Sequence, residues 1–324
     1  MSVAPSGLVG HAEAWRAWHA ALASPRLHHG WLLAGRRGVG KAAFARAAAR
    51  ELVGSSGHAG SGEHPDILLL THLPKDDAEA RKRDEGKPFE TRRNIGIDQI
   101  RTLQHRLITR PTLGARRAVI IDPADDLEPG AANALLKSLE EPPAGTLFLL
   151  VAHRLGRLLP TIRSRCRVLR FPDLSAEAIA AILAREQPQA DPAMREAAIA
   201  AAAGSPGAAL DFVAFDLADM HALMRRIAGE GDPAFALRGK LAEAMGPRAA
   251  RARQIAAIEL ARAVLRSRKA GLTRAQIPAL VAVDGALARL AAEAPTFNYD
   301  PGLLAMRLGG LLTQLAVPRG APDG

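Results

Sequence analysis

The stretch from His28 to Val53 constrains the fold more than any other. HHGWLLAG contains a short apolar run, Trp31–Ala34, that enters GRRGVGK, and KAAFARAAARELV follows with helical spacing. A buried strand, a glycine loop and a helix in that order form the context of a phosphate-binding loop. Gly35, Gly38 and Gly40 allow backbone N–H groups to turn inward on phosphate oxygens, and Lys41 would reach the terminal phosphates. Without that context, the run reads only as a glycine turn followed by a surface lysine. The position after Lys41, where such loops carry Ser or Thr for magnesium, holds Ala42.

Further apolar runs extend the pattern. DILLL (66–70), RRAVIID (116–122) and TLFLLVA (146–152) read as strands. HAEAWRAWHAALA (11–23), GIDQIRTLQHRLIT (96–109) and PGAANALLKSLEEPP (129–143) read as helices, the last stopped by two prolines. Strands alternating with helices predict an α/β domain on a parallel sheet. After FPDLS (171–175) helical spacing takes over. SAEAIAAILARE and AMREAAIAAAAG are short helices, GSPGAAL (204–210) breaks the run, and longer helices fill the remainder. Three domains are expected: 1–172 α/β, 173–213 a small helical domain, and 214–324 a larger all-α domain. No internal repeat is evident.

The strand VIIDPADD (119–126) carries the second part of a nucleotide site. Asp122 ends the strand where hydrolases place a magnesium-holding Asp, but Pro123 stands where a water-orienting Glu would follow. Losing that group typically costs ~10²–10⁴-fold. Two substitutions at two catalytic positions predict negligible turnover by this chain, while the loop and Lys41 remain compatible with a static ATP or ADP.

Composition bounds the remaining readings. The formal net charge is +10, which permits contact with nucleic acid or an acidic partner without requiring it. Cys166 is the only cysteine, so an intrachain disulfide and a cysteine-based zinc site are excluded. No run approaches 18 uninterrupted apolar residues, and the N-terminus lacks a signal-peptide pattern; a soluble cytoplasmic protein is expected. Residues 74–93 hold thirteen charges of mixed sign in twenty positions. They read as a solvated, disordered surface insertion or as a docking segment.

NALLKSLEEPP (133–143), followed by SRC (164–166), resembles the bacterial clamp-loader AAA+ family, and GIDQIR, HPD (64–66) and GSPGAAL add to the likeness. Within it the pattern is similar to the delta-prime subunits of DNA polymerase III. The motifs cover roughly residues 25–212; beyond them the likeness rests on length and helical content. The resemblance implies a RecA-like AAA+ domain, a helical lid and a C-terminal helical collar. It also implies a hetero-pentameric ring with gamma/tau and delta subunits that places the sliding clamp on primed DNA. In that ring the delta-prime member is a non-hydrolysing stator. Arg165 matches the family's arginine finger, which acts in trans on the γ-phosphate of a neighbouring ATPase subunit, where such a group is worth about 10³–10⁵ in rate.

Read without the family, Arg165 is one of several arginines near a strand, with Arg163, Arg167 and Arg170, and a surface ion pair is the plainer reading. Ser164 is expected to support the loop and Cys166 to pack. Likewise Glu140 and Glu141 could be a solvated helix end, and Lys137 could meet a phosphate backbone. Pro206 and Gly207 stand where hydrolysing relatives carry a nucleotide-sensing arginine. The family's four-cysteine zinc module is replaced by GSSGHAGSGEHPD; His58 and His64 alone make a poor zinc site, so no metal is expected. In the collar, Arg248, Arg251, Arg253, Arg262, Arg266, Arg268 and Lys269 read as a basic solvated face or as a contact for acidic partners or DNA. Two other classes compete with the stator: an active ATP-hydrolysing motor subunit of the gamma/tau kind, and a free-standing DNA-binding protein.

Overall fold

The computed structural model describes residues 9–54, 64–87, 89–268, 274–294, 297 and 299–316. The chain divides into two compact units, residues 1–173 and 174–324.

The first unit runs α1 (Ala12–Leu22), β1 (Gly30–Ala34), α2 (Lys41–Val53), β2 (Ile67–Leu70), α3 (Asp77–Asp84), α4 (Ile97–Leu107), β3 (Arg117–Ile121), α5 (Pro129–Glu140), β4 (Thr146–Ala152), α6 (Pro160–Ser164) and β5 (Arg167–Arg170). The five strands form a parallel sheet in the order β2-β3-β4-β1-β5. Every residue of β1, β3 and β4 is buried, as a parallel sheet covered on both faces demands.

Alternate side chains serve opposite faces. Trp31, Leu33, Ile120, Leu149 and Val151 pack with Trp15, Trp18 and Phe44 of α1 and α2. Leu32, Val119, Ile121, Phe148 and Leu150 pack with Ile100, Leu103, Leu135 and Leu139 of α4 and α5. The continuous apolar runs of the sequence are therefore two interleaved period-2 patterns. Trp18 and Trp31 bury their rings and keep their indole N–H groups bonded, to Glu51 Oε2 at 3.0 Å and to His28 O at 2.8 Å.

The charged stretch 74–93 corrects the expectation of disorder. It contains α3, whose N-cap Asp76 accepts from Glu79 N at 3.0 Å. Glu79 also accepts from Lys82 at 2.7 Å and from Glu90 N at 2.6 Å, and Pro74 bridges Thr91 antiparallel. No residue of α3 is buried. The solvated part of the expectation therefore holds. Local capping and charge pairs supply the order that an apolar face would otherwise supply.

The HPD run has a structural use. Asp66 is fully buried and accepts from Thr112 N at 2.6 Å and Leu113 N at 2.8 Å, with Arg117 Nε at 3.8 Å. Arg117 in turn donates to the carbonyls of Arg106, Thr109 and Arg110, closing the C-terminal end of α4. Burial pushes the Asp66 carboxyl up, but the two amides, Arg117 and His64 outweigh it and hold it below the usual carboxylate range.

The second unit contains α7 (Ala176–Glu186), α8 (Pro192–Ala202), α9 (Pro206–Ala214), α10 (Ala218–Glu230), α11 (Ala236–Met245), α12 (Arg251–Arg268), α13 (Ile277–Glu293) and α14 (Pro301–Thr313). One buried cluster runs from Ile179 and Leu183 to Leu308 and Leu312, and includes Ile258, Leu260 and Leu265 of α12. Ser175, Asp191, Ser205 and Asp300 cap their helices through side-chain oxygens. GSPGAAL is thus a helix start, with Pro206 at its first turn. The basic run of α12 is partly internal. Arg253 donates to Phe215 O and Ala244 O, and Arg262 pairs with Glu259 at 3.0 Å, while Lys269 lies outside the described residues. No helix among the described residues is long and apolar enough to cross a membrane.

Asp66→Ala leaves the buried Arg117 without its carboxylate and the Thr112 and Leu113 amides without their acceptor. It should lower the stability of the first unit by about 3–5 kcal/mol in urea unfolding; a loss below ~1 kcal/mol would remove Asp66 from this role. Because the folded carboxyl lies below its unfolded value, its stabilisation is complete above ~pH 4 and is lost as pH falls through the folded value. Acid titration of the wild type against Asp66→Asn reads that difference.

Candidate functional site

The glycine loop sits where β1 ends between two neighbours. Gly35 N donates to Ala152 O of β4 at 3.3 Å, and Phe171 N, just past β5, donates to Ala34 O at 2.8 Å. A side chain at Gly35 would collide with the Phe171 carbonyl, so only glycine fits. Gly38 and Gly40 have φ of 79° and 106°. This left-handed backbone turns the chain into α2, which begins at Lys41.

Lys41 is 2% exposed. Its Nζ donates to Gly35 O at 2.7 Å and to Arg36 O, so the ammonium closes the loop on itself. Burial pushes the amine down to about 8; Asp122 and Asp125 oppose the shift, and Arg37 and Arg36 reinforce it. Asp122 lies at the end of β3, its N–H bonded to Leu70 O at 2.9 Å. Burial raises its carboxyl, with Lys41 the leading opposing charge. The structure thus brings Gly35, Gly38, Gly40, Lys41 and Asp122 together, with Ala42 second in α2 and Pro123 following Asp122.

Several neighbours escaped the sequence reading. His11, at φ 57°, places Nε2 2.6 Å from Val39 O and its ring edge-on to Phe171. Burial lowers its pKa, against the Val39 bond, and Lys41 lowers it further. His153, one residue past β4, is pushed down to about 3 by burial and then by Lys41 and Arg37. Both rings are therefore neutral near pH 7, leaving the cationic charge to Lys41 and the loop arginines.

Asp125, 5% exposed, accepts from His153 N at 2.8 Å and faces Arg154 Nε at 3.4 Å. Asp126 meets His72 at 3.4 Å, Arg154 at 3.3 Å and Arg157 at 3.6 Å. Burial works against the Asp126 carboxylate, yet His72, Arg154 and Arg157 hold its pKa low. Asp125 and Asp126 were legible in VIIDPADD as acidic residues, but their bonds to the end of β4 were not. The arrangement offers an anion two glycine-turned amides, a helix start and an ammonium. It offers a metal no hydroxyl at position 42, and it offers an attacking water no carboxylate at position 123.

Arg165 stands apart from these residues, as the C-terminal cap of α6. Its guanidinium pairs with Glu140 at 2.6 Å and donates to Thr161 O at 2.9 Å. Glu140 is therefore an ion-pair partner rather than a free helix end. Ser164 donates to Thr161 O at 3.0 Å. Cys166 is buried, and burial pushes its thiol up to about 12. Lys137 is exposed on α5. His58 lies outside the described residues, whereas His64 Nδ1 accepts from Asp66 N at 3.2 Å.

Residues 10–175 match the family model described as DNA polymerase III, delta subunit. DNA polymerase III subunit delta' of Pseudomonas aeruginosa is 36% identical over 191 residues, 55% of this chain and 53% of that protein. The Escherichia coli K12 subunit delta' is 34% identical over 198 residues, 57% and 54%. The matched region thus spans about half the length of these relatives. A DNA polymerase III gamma subunit-related protein of Thermotoga maritima shares the fold, with a TM-score of 0.52 at 18% identity, over 93% of this chain and 98% of that one.

The lowered Lys41 value carries a sign. Between about pH 8 and the unfolded value near ~10.4 the unfolded chain binds the extra proton, so stability rises with pH there. The urea midpoint of the wild type should therefore gain on that of Lys41→Met between pH 8 and 10. Parallel curves for the two proteins would refute the burial of this charge.

Proposed function

The chain belongs to the delta-prime family of DNA polymerase III subunits, and from that premise we propose that it is a non-hydrolysing stator of the clamp loader. In this reading it joins gamma/tau and delta subunits in a hetero-pentamer in the cytoplasm, helps place the sliding clamp on primed DNA, and supplies Arg165 in trans to a neighbouring ATPase subunit. One observation carries the reading: a complete glycine loop, with Gly38 and Gly40 in left-handed backbone, is flanked by Ala42 and Pro123. The loop suits phosphate binding. The two positions that serve metal-dependent hydrolysis do not suit catalysis.

A nucleotide in this loop would lie against the amides of residues 38–41 and draw the Lys41 ammonium from the Gly35 and Arg36 carbonyls to its phosphates. It would serve as a static ligand that stiffens the junction of β1 and α2. The low occupancy of charge on His11 and His153 favours a polyanion poorly by itself, so affinity would rest on Lys41, Arg37 and the helix start. No zinc is part of this proposal. Arg165 suits a finger because its guanidinium is permanently charged, 34% exposed and seated at the end of a helix whose Ile162 is buried.

Steady-state ATPase of the reconstituted complex, with clamp and primed DNA, tests the reading. The isolated chain should be silent, and Arg165→Ala should lower turnover at the adjacent site by about 10³–10⁵. Robust turnover by the isolated chain would restore the motor-subunit reading. An intact Arg165→Ala complex with wild-type turnover would remove the finger.

A further inference from the structure

Arg165 does not extend freely from α6. Its backbone N–H donates to Ile162 O at 3.1 Å. Its side chain doubles back, with Nη1 donating to Thr161 O at 2.9 Å and to Ser164 Oγ at 3.4 Å. Nη2 meets Glu140 Oε1 at 2.6 Å. Both terminal nitrogens are thus bound to acceptors of the same chain. A guanidinium that grips a phosphate uses those nitrogens as a fork. It has to exchange the carboxylate for the phosphate.

Resting on the trans-finger reading above, we propose that Glu140 is a latch that holds Arg165 withdrawn until the polyphosphate of a neighbouring subunit displaces it. The two backbones are fixed while the two side chains are not. Glu140 ends α5, which is anchored by buried Leu135, Ser138 and Leu139. Arg165 follows buried Ile162 and precedes buried Cys166. The paired side chains remain 34% and 48% exposed, in reach of water. A pair of this kind is weak enough to open and strong enough to bias a population.

The competition is set by charge. Glu140 offers one negative charge, whereas a terminal phosphate offers more charge and three oxygens, so the finger transfers only to a ligand of that class. An exposed chloride or a second carboxylate gains little over the existing partner. Glu140 is accordingly a positioning residue: it touches no reacting atom and acts through Arg165.

The test uses the reconstituted complex with ATP, without clamp or DNA. Glu140→Gln keeps the shape and removes the charge. It should raise this basal ATPase roughly two- to five-fold, the population shift that loss of an exposed ion pair allows. Arg165→Ala should lower the rate, and the double variant should match Arg165→Ala alone. An Arg165→Ala complex with unchanged turnover would sink the trans finger and the latch together. A slow Arg165→Ala complex beside a Glu140→Gln complex at or below the wild-type basal rate would leave the finger standing and overturn the latch. A Glu140→Gln gain that survives in the double variant would also overturn it. On the isolated chain, ¹⁵N relaxation at Arg165 Nε should report a more mobile side chain in Glu140→Gln; unchanged mobility would contradict the latch.

Discussion

The close approach of the Phe171 carbonyl to Gly35 governs the geometry of the first unit. β1 is an interior strand of the sheet, hydrogen-bonded to β4 on one side and to the edge strand β5 on the other, and both neighbours remain engaged at its last residues. The chain must leave that slot through a position with no room for a side chain. From there, two left-handed glycines are what carry it into α2 with its amides forward. The loop is therefore a consequence of sheet packing. Sheet packing alone gives a chain reason to keep the loop, whether or not it hydrolyses a nucleotide.

The same economy recurs in residues that would be read as functional from a motif alone. Asp66 holds the turn at 112–113 and anchors Arg117, which closes the end of α4. Gln99 accepts from Gly96 N at 3.3 Å and donates to Thr71 O at 2.9 Å. Arg253 holds two carbonyls in the second unit. Each binds backbone, Asp66 together with the Arg117 side chain. Each therefore fixes a loop that has no strand or helix partner for its polar groups.

The elements were legible where periodicity is local. The strands 146–152 and 67–70 and the helix 97–107 follow directly from runs and stripes, because i,i+2 and i,i+4 spacings are short-range signals. The helix α3 was not legible, since its stabilising pairs leave no apolar stripe. At the site, Gly35, Lys41 and Asp122 were readable from their flanking elements. His11, His153 and the partner of Arg165 were not. His11 reaches Val39 across 28 residues, and Glu140 is 25 positions before Arg165. A side chain that meets a distant segment leaves no mark on its neighbours in sequence.

The edge of the sheet at β2 has a consequence for how the chain behaves in company. Asp66 O and Leu70 O face β3, where they accept from Ala118 N and Asp122 N. The opposite edge is closed at its two ends, by the bond from Ile67 N to His64 O and by the Gln99 amide on Thr71 O. What lies between is too short for a foreign strand to lengthen the ladder. The leucine-rich border therefore offers no long open ladder on which copies of the chain could stack.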